Sequence, residues 1–445
     1  MRRVLFLAYH FPPIGGGGVQ RNAKFARYLP ELGYEPVVVT GPGVVDDRWT
    51  PSDPTLNGQI RRGLEVHRLP GPEPPMSAGR RARAERWLGV EAPSARWWID
   101  GALETGRRVG ADTDLIYCSL VPYETAETVM RLADELGKPL VVDLQDPWAL
   151  DEMWVYPSRV HLRRDLARMR ECLARADAVV MNTPEAALRV ERRFPELRGR
   201  TVVSIPNGFD SSDFLGSAPE RDDALLRIVH TGTLHTDRGR RHRAGGAVKR
   251  LLGGAPAKVD ILTRSHVYLL AAIDLLFERE PARAKQIEVH FAGVLSDADR
   301  QVALRSPVSR LHGYLPHAKT IDLIRSADLL FLPMQELEPG ARAGLVPGKT
   351  YEYLASGRPI LGAVPDGDAR ELLVEAGTGL VCRPSDVEAM ARIISGELQR
   401  VRRGGGPAAQ PNADVLARYE RRTLTRDLAA VFDAVLGRAA RADAA

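Results

Sequence analysis

The chain is poor in the residues that would staple it or hold a metal. Its 445 residues include only three cysteines, Cys118, Cys172 and Cys382. They are scattered and odd in number, so they offer neither metal spacing nor a disulfide framework, and they point to a reducing cytosol. H-E-x-x-H, paired C-x-x-C and clustered carboxylate patterns are missing, so no metal is expected. The chain also lacks a nucleophile elbow and a P-loop with Gly-Lys-Ser/Thr. No apolar run is long enough to span a bilayer. The short run VLFLAY after Met1-Arg2-Arg3 stops at His10-Phe11-Pro12-Pro13 without a small-residue cleavage site, which excludes it as a secretion signal. Lysine plus arginine exceed aspartate plus glutamate only by 62 to 57, a formal charge of +5. So mild an excess suits an anionic small ligand or a membrane surface. With no recognisable reading motif beside the arginine-rich loops, nucleic acid is not an expected partner.

What is present is an ordinary globular composition, 44% hydrophobic and 27% charged, in a chain too long for one core. Val4–Tyr9 reads as a buried strand, Gly15–Gly18 as a tight loop, Val19–Leu32 as a helix and Val37–Thr40 as a second strand. Further strands are expected at Leu115–Cys118, Leu140–Leu144, Ala178–Met181 and Val202–Ile205, with helices at Glu124–Leu136 and Val160–Ala174. After Pro206-Asn207-Gly208 and a polar linker the alternation restarts. Arg227–His230, Ile287–Ala292, Leu329–Pro333 and Gly379–Cys382 read as strands, and Tyr268–Phe277 and Thr320–Ser326 as helices. Two βα series predict an α/β protein of two Rossmann-like doubly wound domains facing across a cleft. The expected division is 1–210, 222–412, a terminal helix over 413–436 packing back on the first domain, and a disordered tail over 437–445. Pro70–Arg86 and Asp237–Pro256 read as surface excursions.

The most specific stretch is VPGKTYEYLASGRPIL, Val346–Leu361. A Pro347-Gly348 turn leads through Lys349 into a short helix with Glu352 in its first turn. Gly357 and Pro359 end it before an apolar strand. Unpaired amides, a lysine and a carboxylate at one helix end suit a phosphate next to a diol. The Gly15–Gly18 loop, with Gly16, Gly17 and Gly18 next to the helix, reads either as an anion cradle or as a plain tight turn. It does not satisfy G-x-G-x-x-G. Asp146, just past the Leu140–Leu144 strand, either holds a hydroxyl or caps an Asp-Pro turn. Trp148 offers a stacking face or ordinary packing. Thr233 ends the first strand of the second series, with Arg238 and Arg264 as rival cations for a diphosphate. His10, His230, His235 and His312 read as loop or packing residues. Basic and aromatic residues mix at Arg80–Trp87 and Arg96-Trp97-Trp98. Arg163, Arg164, Arg168 and Arg170 add to them, as a solvated face or as a rest on an anionic membrane.

With these residues in view the chain resembles the retaining, nucleotide-sugar-dependent glycosyltransferases of the family 4 type, which have the GT-B architecture. FPPIGGGGVQR resembles the first glycine loop, VVDLQDPW the Asp-x-x-Asp-Pro-Trp variant, and HTGTLHTDRG the glycine-arginine-lysine segment. HGYLPHAKTIDLIRSADLLFLP is similar to the segment that approaches the base. VPGKTYEYLASGRPIL is similar to the donor loop. Four positions depart from the pattern: Gly344 stands for a glutamate, Thr233 for an arginine, Arg238 for a lysine and Gln145 for a histidine. Glu336 and Glu338 are candidates to compensate for Gly344.

The resemblance implies a hexosyltransferase that moves sugar from a nucleoside diphosphate donor, with retention and with no metal or other cofactor. Asp146, Arg238 and Lys349 would serve catalysis. Gly16, Gly17, Gly18, Thr233, Arg264, Gly348 and Glu352 would bind the donor. The acceptor is left open among a glycan, a lipid-linked molecule and a small molecule. The expected location is cytoplasmic, with a peripheral contact on the inner membrane face as an option. A non-hydrolysing sugar-nucleotide 2-epimerase and a non-catalytic sugar-nucleotide-binding protein are the rival readings.

Overall fold

The computed structural model describes residues 1–43, 51–71, 73–75, 77, 79–219, 225–254, 258–404 and 410–443. The chain forms two compact units. The first comprises Met1–Asn207, Leu251–Pro256 and Arg421–Ala445, and the second Gly208–Arg250 and Ala257–Glu420.

In the first unit seven strands make one parallel sheet: β1 (Arg2–Ala8), β2 (Tyr34–Thr40), β3 (Glu65–Arg68), β4 (Leu115–Ser119), β5 (Leu140–Leu144), β6 (Ala178–Met181) and β7 (Thr201–Ser204). Their order, β3-β2-β1-β4-β5-β6-β7, reverses between β1 and β4. Ligands bind outside the carboxyl ends of strands at such a switch point. The helices are α1 (Val19–Tyr28), α2 (Gly79–Leu88), α3 (Pro93–Gly110), α4 (Thr125–Leu136), α5 (Arg159–Arg175) and α6 (Pro184–Arg193). β1, β4, β5 and β6 are buried along their length apart from the first two residues of β1, as expected of parallel strands covered on both faces.

The second unit opens with β8 (Leu226–Thr231), α7 (Thr236–Leu251), β9 (Val259–Asp260), α8 (Val267–Arg279), β10 (Ile287–Ala292) and α9 (Asp297–Ala303). It continues with β11 (Ser309–Gly313), α10 (His317–Arg325), β12 (Leu329–Pro333), β13 (Glu336–Leu337), α11 (Lys349–Ala355), β14 (Ile360–Ala363), α12 (Asp368–Glu375), β15 (Gly379–Cys382), α13 (Val387–Arg402) and α14 (Ala413–Arg418). Six strands run in the order β11-β10-β8-β12-β14-β15, and β13 pairs with β9 separately.

The last helix, α15 (Arg421–Asp443), belongs to the first unit. Leu424, Leu428 and Phe432 enter the core formed by Val4, Phe6, Phe25 and Tyr117. Asp433 accepts hydrogen bonds from the Tyr34 hydroxyl at 2.7 Å and from Arg2 at 2.8 Å.

Four expectations are corrected. The arginine- and glycine-rich stretch from Asp237 is helix through Leu251, not a surface loop. Gly239 serves packing: a Cβ on it would lie 2.4 Å from the Leu262 Cα, so only glycine lets α7 approach this closely. The excursion around Arg80–Arg86 is likewise helical, as α2. The tail is helix as far as Asp443, while 444–445 lie outside the described residues. The first helix stops at Tyr28, and Leu29–Leu32 continue as a 3-10 turn containing Pro30, which lacks the N–H an α-helix needs. Among the described residues no helix is long and apolar enough to cross a membrane.

Candidate functional site

In the second unit the chain leaves β8 at Thr231 and turns at Gly232, whose φ is 91°. A Cβ there would stand 3.0 Å from Lys349 Nζ. The lysine head thus occupies the space a side chain would take, directly over the end of the strand. α11 supplies it, and the sequence K-T-Y-E-Y explains how. Residues three and four apart share a helix face, so Lys349 projects with Glu352 and Tyr353. The Tyr353 hydroxyl, fully buried, accepts the Thr231 amide at 2.8 Å and so fixes the helix to the strand end.

Lys349 Nζ donates to His230 Nε2 at 3.2 Å, while His230 Nδ1 lies 3.0 Å from the Phe331 carbonyl. The carbonyl can only accept, so the ring proton sits on Nδ1 and Nε2 is left as an acceptor. Burial, then the lysine charge, lowers the His230 pKa well below its ordinary value. Burial, then the Arg264 guanidinium, pushes Lys349 down to about 7. Arg264 donates to the buried Gln335 amide oxygen at 3.2 Å, and its carbonyl accepts the His235 amide at 3.1 Å. Lys349 and Arg264 set two cations near the strand end, with the Glu352 carboxylate as a weaker opposing charge on the lysine; a bound anion would offset their mutual repulsion.

A glycine makes the close backbone approach here possible. A Cβ on Gly293 would meet the Gly232 carbonyl at 2.5 Å, and the Gly293 amide donates to Gly313 at 2.7 Å. Gly293, Tyr353 and His230 are contributors the sequence reading did not assign. The i, i+4 spacing of Lys349 and Tyr353 was the available signal.

Glu352 does not stand alone. His317, at the start of α10, places Nε2 3.0 Å from Glu352 Oε1. The second carboxylate oxygen keeps its directional capacity for a diol. The helix end itself differs from the sequence expectation. The Thr350 and Tyr351 amides already close turns on Pro347 and Gly348 at 2.9 and 3.3 Å. With those two amides used, Lys349 is the cation that this helix start presents, and Gly348 is the exposed residue before it. Arg238 lies in the first turn of α7, partly buried, one residue before the Gly239 packing point. Thr233 lies between Gly232 and α7, also partly buried. Of the candidate substitutes for Gly344, Glu336 is held by Arg383 and by Ser385 Oγ, and Glu338 makes an exposed pair with Lys258 at 2.7 Å.

In the first unit the glycine loop enters α1 with Gly18 as N-cap, no side-chain cap and no acidic residue in the first turn. The Gly15 amide is spent on the Pro51 carbonyl at 2.6 Å. Among the described residues the Gly16, Gly17 and Gly18 amides meet no acceptor. That arrangement suits an anion cradle. The Gly18 carbonyl is braced from behind by Gln145 Nε2 at 3.1 Å and Asn22 Nδ2 at 3.4 Å. Gln145 also donates to Ser119 Oγ at 3.0 Å, so both of its amide hydrogens are committed to the protein.

Asp146 is exposed at the carboxyl end of β5. Trp148 fixes the loop behind it: its φ is 47°, its ring stacks on Tyr123 at 4.9 Å, and its Nε1 donates to Asp165 at 3.1 Å. Backbone strain of this kind persists where packing over-determines it. Trp148 is 2% exposed, so packing, not a stacking face for ligand, is its role. Beneath the loop Arg21 forms a fully buried two-pronged pair with Asp143, at 2.8 and 3.1 Å, and donates to the Pro206 carbonyl at 2.8 Å. The Tyr117 hydroxyl donates to the same carboxylate. Among the described residues no three His, Cys, Asp or Glu side chains gather as a metal set.

These two units are a recognisable pair. The family described as Glycosyl transferase 4-like domain matches residues 16–208, and Glycosyl transferases group 1 matches residues 261–399. The chain belongs to the glycosyltransferases and has their GT-B fold, two parallel-sheet Rossmann-like domains. Three solved structures share that fold over nearly the whole chain. Sucrose-phosphate synthase from Thermosynechococcus elongatus is 13% identical with a TM-score of 0.64, the alignment covering 98% of this chain and 100% of that one. Anabaena HepE, solved with UDP and glucose, is 15% identical with a TM-score of 0.58 at the same coverages. A putative UDP-N-acetylglucosamine 2-epimerase from Listeria monocytogenes is 13% identical with a TM-score of 0.53, over 97% of this chain and 95% of that one. No curated protein matches the sequence.

Proposed function

We propose that this glycosyltransferase is of the retaining family 4 type and moves a hexose from a nucleoside diphosphate donor to an acceptor hydroxyl, without a metal. The juxtaposition of Lys349 with Gly232 carries the reading. A cation over a side-chain-free strand end, with Arg264 close enough to depress its pKa, suits a diphosphate. Glu352, oriented by His317, would hold the ribose.

In the reaction the bond from the anomeric carbon to the diphosphate oxygen breaks as the acceptor oxygen bonds to that carbon. The acceptor proton passes to the departing phosphate oxygen. Lys349, Arg264 and Arg238 would neutralise the charge growing on the leaving group. Removing one preorganised contact of this kind costs about 10²–10³ in rate. Asp146 would orient a hydroxyl of the reacting sugars. Where a metal is absent, lysine and arginine must supply all the positive charge.

A calorimetric screen of UDP, GDP, ADP and TDP against wild type and Lys349→Ala tests the donor assignment. Nucleotide binding lost in the variant is expected, and equal binding by both proteins would overturn it. Turnover in the presence of a chelator tests metal independence. The epimerase reading shares the fold and makes a different product. Donor incubated alone would then yield an epimer, whereas a transferase yields at most slow hydrolysis.

A further inference from the structure

Part of the basic and aromatic face is built as a docking surface. At the end of α2, Trp87 is 57% and Leu88 74% exposed, followed by Val90 at 57%. Val160, in the first turn of α5, is 71% exposed. The two helix ends touch: His161 Nε2 lies 3.0 Å from the Trp87 carbonyl, their rings are 5.4 Å apart edge to face, and Arg164 packs over Gly89. Four large apolar side chains thus stand in water on one edge of the first unit. The charge around them is predominantly positive. Residues 159–170 hold five arginines against one aspartate; Asp165 meets the Trp148 indole, the Tyr156 hydroxyl and, at 3.9 Å, Arg168, while Arg170 pairs with Glu196 at 2.5 Å. Arg163 and Arg80 are exposed.

We propose that this surface seats the protein on an anionic lipid bilayer, and that the acceptor is therefore lipid-borne. Apolar side chains that enter the headgroup boundary and arginines that meet anionic lipid are the two signals reversible membrane attachment needs. The choice of acceptor rests on the transferase reading and follows from connectivity. Asp165, one turn along α5 from His161, accepts from Trp148, two residues after the candidate Asp146. The docking surface and the candidate acceptor loop are therefore braced by the same helix.

The test is co-sedimentation of the full chain with phosphatidylcholine vesicles, with and without about 30% phosphatidylglycerol. Binding to the anionic vesicles is expected, at least tenfold over the neutral ones and lost near 0.5 M salt, where the Debye length falls to a few ångströms. Leu88→Gln with Val160→Gln, and separately Arg80→Glu with Arg163→Glu, should each weaken partitioning severalfold. Each basic residue at such a surface is worth about fivefold. All four positions are exposed, so circular dichroism should match wild type. Absence of binding, or equal binding to neutral vesicles, would overturn the proposal. So would a concentration-dependent dimer that the same substitutions dissolve, which would assign the surface to a second copy of the chain. Vesicle binding needs no turnover, so failure of the transferase reading would leave this readout unchanged and appear only in the donor screen.

Discussion

Lys349 and His230 share one hydrogen bond, 3.2 Å from ammonium nitrogen to ring Nε2. The ring must stay neutral to accept it, and the lysine, pushed down to about 7, is half-discharged at neutral pH. A bound diphosphate favours the charged ammonium, so donor binding should draw in a proton above pH 7. Affinity should then fall as pH rises above 7, approaching tenfold per pH unit for one coupled proton. Calorimetry at pH 8 to 9 in two buffers of different ionisation enthalpy measures the proton, and Lys349→Met should abolish its uptake. The stability effect has the opposite sense. The folded pKa lies below the ordinary 10.5, so between 7 and 10.5 the unfolded chain holds more protons. The ligand-free protein's stability from this residue therefore grows with pH across that window.

The pair of His317 and Glu352 separates recognition from stability. Glu352→Gln should weaken donor binding about 10- to 100-fold, the range of a hydrogen bond to a charged group. It should move the melting temperature little, since glutamine keeps the shape of the side chain and an oxygen that can accept from His317. His317→Ala should raise the donor Kd severalfold by releasing the carboxylate. If His317→Ala instead tightens binding, the histidine competes with the ribose rather than orienting its partner.

Gly232→Ala should damage fold and site together. A φ of 91° is costly for any residue with a Cβ, and that Cβ would push on Lys349 from 3.0 Å. The expected loss is about 1–3 kcal/mol in urea unfolding, with donor affinity falling further than stability alone accounts for. A variant that binds donor as wild type would show that Lys349 does not work from this position.

Asp143 and Asp146 are three residues apart and should behave oppositely. Asp143→Ala strands a buried arginine and should cost about 3–5 kcal/mol. Asp146→Asn alters an exposed side chain and should change stability by less than about 0.5 kcal/mol while lowering turnover by about 10²-fold, the scale of lost orientation. Unfolding midpoints and initial rates on the two variants decide it. A stable Asp146→Asn enzyme with wild-type turnover would remove that residue from the mechanism.

Much of this was legible in the chain itself. Apolar runs bounded by glycine and proline predicted Leu140–Leu144, Ala178–Met181, Ile287–Ala292 and Leu329–Pro333 with the ends they have. Buried parallel strands leave an uninterrupted apolar signature. α7 was illegible because arginine and glycine carry no helical period, and only its packing on Leu262 explains Gly239. Gln145 was read as a departure beside the chemistry, and it is a brace for the glycine loop. Glu336 was read as a spare carboxylate, and Arg383 already holds it.

The sequence by itself determined the alternation of strands and helices, the glycine turns at the strand ends and the presence of Lys349 and Glu352 on one short helix, because these follow from local periodicity and backbone freedom. Only the tertiary structure decided which polar groups meet. Lys349 with His230, Glu352 with His317 and Arg21 with Asp143 are separated by 119, 35 and 122 residues. No local spacing encodes such pairs. Packing of the sheets brings them together, and burial then lowers the pKa of Lys349 and of His230.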